Sequence, residues 1–370
     1  MKTARAAYEI DALPALPHNG RGAISVPPNR FESHATQAID DGWGREEWNG
    51  EAPKLATTLH TDTSRTVINH VNSPDLPFTR SINPYRGCEH GCIYCFARPS
   101  HAYLDFSAGL DFETEIFHKP DAPEILHREL AAKNYKAATI ILGSNTDCYQ
   151  PVERELKLTR AIVAMLAETS HPLIIITKSA LVMRDIDLLA PMAAQNLARV
   201  NISLTTLDPT LARAMEPRAA APYKRLKAIE TLAKAGIPVT VMAAPMIPGL
   251  NDMEMERIMQ SAYDAGARAA HYTMVRLPYE VKTLFDEWLR THYPERAERV
   301  LSLIRETRDG KLYNAEFGQR MTGQGVYADL IAQRFALGKK RYGFTEKYPA
   351  LRTDLFRPPA QNARQFLLGF

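Results

Sequence analysis

Short apolar runs alternate with amphipathic stretches through the middle of the chain. Six runs, mostly rich in Ile, Val or Thr, read as strands: 80–85, 138–142, 173–177, 199–205, 239–244 and 269–275. Several are almost continuously apolar, as expected of parallel strands covered on both faces. Amphipathic helices fit the intervals. Residues 152–168 place Leu158, Ile162, Met165 and Leu166 on one face, and 222–235 do the same with Leu226, Ile229 and Leu232 before stopping at Gly236. The 252–265 stretch carries Met255, Ile258, Met259 and Ala262 inward and ends at Gly266. Asp121, Pro123 and Glu124 form a helix-start signal.

Strand–helix alternation implies a parallel sheet with right-handed crossovers. Six repeats predict an α/β fold, a partial (β/α)6 TIM-like barrel, with its chemistry where the strands' C-terminal loops gather. Residues 79–280 form this barrel. Residues 1–78 show no clear period and carry Pro14, Pro17, Pro27, Pro28 and Pro53, which predicts an irregular N-terminal arm. Residues 281–370 read as a helical C-terminal extension (281–292, 294–307 and 324–337) ending in a basic aromatic tail, and this part is expected to pack over the barrel opening.

Composition changes this picture little. The chain has 370 residues, 45% of them hydrophobic and 24% charged, with a formal charge of +3. That charge is too small to argue for nucleic-acid binding by field alone. No apolar run approaches the roughly 20 residues of a membrane span, and Met1 to Ile10 lack a signal-peptide core. Three of the four cysteines lie within eight residues, unlike a disulfide framework. Free thiols point to a reducing compartment and a cytoplasmic location.

Those three are Cys88, Cys92 and Cys95, spaced Cys-x3-Cys-x2-Cys. Three thiolates this close can wrap one corner of a [4Fe–4S] cluster and leave the fourth iron open. Gly87 and Gly91 let the backbone fold tightly there. Zinc with a fourth ligand from His90 or His101 is the rival reading, and three unused packed thiols the bland one. His90 is otherwise expected to face solvent or bond to backbone.

The phrase Asn83-Pro84-Tyr85-Arg86-Gly87-Cys88 through Tyr94-Cys95-Phe96 resembles the radical S-adenosylmethionine (SAM) superfamily, in the branch related to spore photoproduct lyase and described as DNA-repair-photolyase-like. The resemblance covers roughly residues 80–280. It implies a [4Fe–4S] cluster on Cys88, Cys92 and Cys95, with SAM at the open iron. The reduced cluster would cleave SAM to a 5′-deoxyadenosyl radical that abstracts hydrogen from a substrate. An external one-electron donor such as flavodoxin or ferredoxin would supply the electron.

SAM would then meet Gly143, Ser144 and Thr146 at the second strand end and Lys178 at the third. A lysine ending a buried strand is costly without an anionic partner, and the resemblance gives it the SAM carboxylate. Alternation places Asn201, Ser203 and Thr205 on one face of the fourth strand, with Ser203 and Thr205 toward SAM. Met246 and Ile247 would back the adenine.

Arg86 and Arg98 would offset cluster charge or meet a phosphate. A hydrogen-donating cysteine of the lyase aligns with Asn145 here, so Cys148, three residues on, is the substitute candidate. The tail residues Lys339, Lys340, Arg341, Tyr342, Phe344 and Arg357 are compatible with a nucleic-acid substrate. The alternative to an enzyme is a non-catalytic iron–sulfur or zinc-binding protein.

Overall fold

In the computed structural model, residues 17–32, 55–344 and 348–360 are described. The strands among them are β1 (Thr58–Thr61), β2 (Ile68–His70), β3 (Arg80–Ile82), β4 (Tyr85–Arg86), β5 (Glu115–His118), β6 (Ile140–Leu142), β7 (Leu173–Thr177), β8 (Ala198–Ser203), β9 (Val239–Met246) and β10 (Ala269–Met274). Seven of them build one sheet in the order β10-β9-β8-β7-β6-β3-β2. The six from β3 to β10 run parallel and β2 joins antiparallel at the edge. The sheet curls as a partial barrel and does not close.

The expected strand at 80–85 is divided. Pro84 has no backbone N–H to donate to a ladder. Tyr85 and Arg86 therefore leave the large sheet and pair with β5, which itself pairs with β1 in a three-stranded sheet. The arm is thus not wholly irregular: β1 and β2 both precede residue 78. They escaped the pattern because they are four and three residues long and mostly exposed, so no apolar alternation marks them. The helix expected at 152–168 is likewise divided at Lys157, which takes φ 53° between Glu153–Leu156 and Leu158–Glu168.

The main core lies between the large sheet and its outer helices. A second core sits at the cysteine loop, where Cys92, Ile93 and Tyr94 pack with Ile247, Val275 and the helices Val281–His292 and Pro294–Glu306. Val281, Leu284, Phe285, Trp288 and Leu289 of the first helix are buried. Each contributes roughly 1.5–3 kcal/mol by leaving water. The exposed Arg290–Asp286 pair on its other face is screened by water and adds little. Apolar burial, not surface charge, fixes these helices beside the loop.

The rest of the extension lies elsewhere than expected. The third helix, Val326–Tyr342, packs on the outer helix Met255–Asp264 and continues through Lys339, Lys340, Arg341 and Tyr342. Those cations complement the negative helix end. Phe344 is buried edge-on against Tyr263. Residues 348–360 cross the N-terminal ends of the strands, opposite the cysteine loop. There the Arg352 amide donates to Asn196 O at 3.0 Å, the Tyr348 hydroxyl to Val239 O at 3.2 Å, and the Arg357 amide to Thr169 O at 2.9 Å. The described part of the basic aromatic tail is a belt under the barrel, not a cover over its mouth.

Residues 308–325 span the open side. The Met274 amide on edge strand β10 donates to Met321 O at 2.8 Å. Arg320 then reaches the turn after the other edge strand, β2, donating to Asp75 Oδ2 at 2.6 Å and to Ser73. The Arg320 hydrogen bond leads in holding the Asp75 carboxyl down at about 2. This latch ties together two edges that no ladder joins.

Candidate cluster and SAM site

The chain leaves β3, pairs briefly as β4, and turns into the cysteine loop. Gly87 takes φ 79° and Gly91 φ 66°. A Cβ at Gly87 would stand 2.9 Å from Phe112 O, and one at Gly91 would stand 2.6 Å from Glu113 Oε2. Only glycine fits these two positions. Between and after them the Gly91 amide donates to Cys88 O (3.3 Å) and the Cys95 amide to Cys92 O (3.1 Å), while Cys88 N reaches Phe112 O (2.9 Å). The loop therefore turns back on itself twice. Cys88 and Cys92 are buried, Cys95 is half-buried, and all are free thiols.

Charged groups buried behind the loop hold it. Arg98 is fully buried and donates to Cys92 O (2.9 Å), Ala108 O (3.1 Å), Gly109 O (2.8 Å) and the Glu113 carboxylate. Glu113 also accepts from the amides of Gly22 (2.9 Å) and Ala23 (2.8 Å), so the arm is strapped to the loop. Arg98 is thus engaged structurally, and Arg86 is paired with Asp62 at 2.6 Å. Neither is the phosphate ligand anticipated. His90 is buried, not solvent-facing, with Nδ1 3.3 Å from Asp147 Oδ2.

Asp147 joins three strand ends. It accepts from the Thr177 hydroxyl and the Lys178 amide, each at 2.7 Å, and faces His90 in the cysteine loop. Burial pushes its carboxyl up, yet His90 and these donors hold it well below the usual carboxylate range. On the other flank, Glu216 gathers the Tyr94 hydroxyl, the Thr205 hydroxyl (2.7 Å) and buried Arg225.

The strand-end residues divide into two groups. Lys178 stands at the loop, its Nζ 5.7 Å from the centre of the Tyr94 ring. No carboxylate pairs with it among the described residues. Burial pushes the Cys92 thiol up, and the Lys178 charge opposes that rise. Ser203 shares the inner face of β8 with Asn201, as the alternation predicts, opposite core residues Val200 and Ile202. Ser144 lies beside Asn83 at 3.2 Å. Gly143, at φ 85°, lets β6 approach β7 so closely that a Cβ would meet Ile176 O at 2.4 Å.

Thr146 and Thr205 hold structure instead. Thr146 donates to Gly87 O at 2.6 Å, and fully buried Thr205 bonds to Glu216 and to Ala244 O at 3.2 Å. Met246 is buried in the main core and Ile247 in the second core beside Cys92. Cys148 has no exposure at all and packs in the main core with Ile162 and Leu142, with its thiol pushed up by burial first. A Cβ at Gly143 would stand 3.4 Å from its sulfur, so the thiol lies just beneath the end of β6.

The matching of known families follows this geometry: the model of the radical SAM superfamily matches residues 82–262, the span from β3 and the cysteine loop into helix Met255–Asp264. The chain belongs to the radical SAM superfamily. It is an enzyme of that class, and its cofactors are a [4Fe–4S] cluster and SAM. An uncharacterized protein of Mycobacterium tuberculosis is 37% identical over 251 residues, covering 67% of this chain and 74% of that one. One of Methanocaldococcus jannaschii is 28% identical over 223 residues, covering 59% and 78%. The fold is also that of spore photoproduct lyase: its complex with dinucleoside spore photoproduct superposes with a TM-score of 0.51 at 14% identity, over 77% of each chain.

The radical SAM cluster fits the residues present. Among the described residues no three His, Cys, Asp or Glu side chains converge on one point as ligands of a single ion do. A cubane corner does not ask for that convergence, because each thiolate binds a different iron. The thiols of Cys88 and Cys92 are pushed up by burial first, and the Cys88 thiol further by Asp147 and its neighbouring thiols. Iron supplies the positive charge that holds them as thiolates. No helix among the described residues is long and apolar enough to cross a membrane.

Sequence reasoning missed Glu113, Glu216 and Arg225, because a buried ion pair leaves no periodic signal. Asp147 and Asn251 carried one, since both sit in loops directly after strands. Asn251 is fully buried, accepting from the Ile247 amide (2.7 Å) and donating to Thr205 O (2.8 Å).

Proposed function

We propose that Cys88, Cys92 and Cys95 hold three irons of the cluster, that SAM occupies the fourth, and that the enzyme abstracts hydrogen from an organic substrate above the barrel mouth. The bound cluster and SAM together supply reductive cleavage of SAM to a 5′-deoxyadenosyl radical, with the electron coming from an external donor of the flavodoxin or ferredoxin kind. The protein's own residues position and shield. Lys178 meets the SAM carboxylate, Ser144 and Ser203 offer hydroxyls to its polar groups, Gly143 admits close backbone approach, and Ile247 with Met246 backs the adenine. Asp147 keeps Lys178 and the cluster loop in fixed relation by bonding to both.

The observation that carries this reading is the unpaired Lys178 ammonium between Tyr94 and Cys92. A cation at a strand end, facing thiols and no carboxylate, is costly unless an anion arrives. Replacing Lys178 with alanine removes a charge-assisted bond worth about 1.5–3 kcal/mol. SAM affinity, measured by anaerobic equilibrium dialysis of reconstituted protein, should fall about 10- to 100-fold with iron content retained. Lys178→Arg should recover part of the loss. Undiminished SAM affinity in Lys178→Ala contradicts the assignment.

A further inference from the structure

A pair of arginines lies just beyond β10, beside the Phe96 that follows the last cysteine. Arg276 follows β10, at the same end of the sheet as the cysteines. Its guanidinium lies 4.8 Å from the centre of the Phe96 ring, and Phe96 directly follows Cys95. Among the described residues its side chain donates to a weak acceptor, Met321 Sδ, at 3.7 Å. Arg308 is 1% exposed and is held by two carbonyls, Gln319 O at 2.9 Å and Val275 O at 2.8 Å. The Nε of each arginine is buried with no hydrogen-bond partner, and neither has a carboxylate among the described residues. Burial first, and then Arg276, lowers Arg308 to about 10, so the two cations feel each other.

Two mutually repelling guanidinium groups without counter-charge are unfavourable. Arg98 and Arg225, fully buried like Arg308, are each paired with a carboxylate. The Arg308 Nη groups are taken by carbonyls, which leaves the Arg276 fork as the one suited to a planar or tetrahedral oxyanion. Lys178 is on the opposite flank, beside Tyr94 and Cys92, so SAM's own carboxylate already has a partner.

We infer that Arg276, backed by Arg308 and stacked on Phe96, binds an oxyanion of the substrate, a phosphate or a carboxylate, next to the cluster loop. This rests on the radical SAM reading above only for calling the ligand a substrate; the anion site itself stands on the arginines. It gives the substrate an anionic handle close to the exposed Phe96 ring.

The test uses full-length, anaerobically reconstituted protein. Inorganic phosphate and, separately, acetate are titrated by calorimetry, with wild type, Arg276→Gln, Arg276→Lys and Lys178→Ala compared. Saturable binding that weakens at least about 10-fold in Arg276→Gln, is only partly kept in Arg276→Lys and persists in Lys178→Ala is expected, the loss matching one charge-assisted contact. Tighter binding of phosphate identifies a phosphorylated substrate, and tighter binding of acetate a carboxylate. Absence of saturable binding by either anion, or equal binding by folded Arg276→Gln, overturns the inference. SAM cleavage is followed in the same wild-type sample. Its absence beside intact anion binding counts against the radical SAM site assignment and leaves the arginine site standing.

Discussion

Cys92→Ala protein, reconstituted anaerobically with iron and sulfide, is expected to lose most of its cluster iron and to cleave SAM on the order of 10³-fold more slowly or worse, since the cofactor carries the hard chemistry. Cys92 is the sharpest choice of the three cysteines. It is buried in the second core beside Ile93 and Tyr94, and its carbonyl accepts from both Arg98 and Cys95. The backbone part of that network survives the change to alanine, so the loop keeps its form while losing one ligand. Cys148→Ala is the control. That thiol is fully buried and belongs to the main core, and its removal leaves a small void costing about 1 kcal/mol, with cluster iron retained. Iron content by colorimetric assay and 5′-deoxyadenosine by chromatography separate the two variants. Full iron occupancy in Cys92→Ala would contradict the ligand assignment.

Glu113→Ala should be the most destabilising single change around the site. Glu113 has no solvent exposure, binds fully buried Arg98, and accepts from the Gly22 and Ala23 amides. Removing one partner of a buried pair leaves an uncompensated charge and costs about 3–5 kcal/mol. Two backbone donors lose their acceptor as well. The melting temperature should fall on the order of 10 °C, and the arm should become protease-sensitive near residue 22. Glu113→Gln keeps an acceptor oxygen for one of those amides but loses the charge and the second acceptor, so it should fall between. A melting temperature within a degree of wild type in Glu113→Ala would show that the strap does not hold the loop.

The chain's pattern made the barrel legible because parallel strands covered on both faces are read as apolar runs, and five of the six expected strands appear within a few residues of their expected positions. The sixth was cut by Pro84, whose missing N–H ended the ladder at Ile82. The short strands β1 and β2 were invisible because three or four exposed residues carry no period. At the site, spacing alone marked Cys88, Cys92 and Cys95, and a lysine ending an apolar strand marked Lys178. The polar network behind them was illegible. Glu113 lies 15 residues from Arg98 and 91 from Gly22, and nothing local records that they meet. The path of the basic tail was illegible for a related reason. The amides of Arg352 and Arg357 and the Tyr348 hydroxyl bond to carbonyls at the strand starts, a placement that composition does not record.

The central claim is that SAM occupies an open iron of a cluster held by three cysteines. Electron paramagnetic resonance of the reduced, reconstituted full-length protein, recorded with and without SAM, tests it most directly. A [4Fe–4S]⁺ signal whose shape shifts on adding SAM is the predicted result. A signal unchanged by saturating SAM would contradict the account.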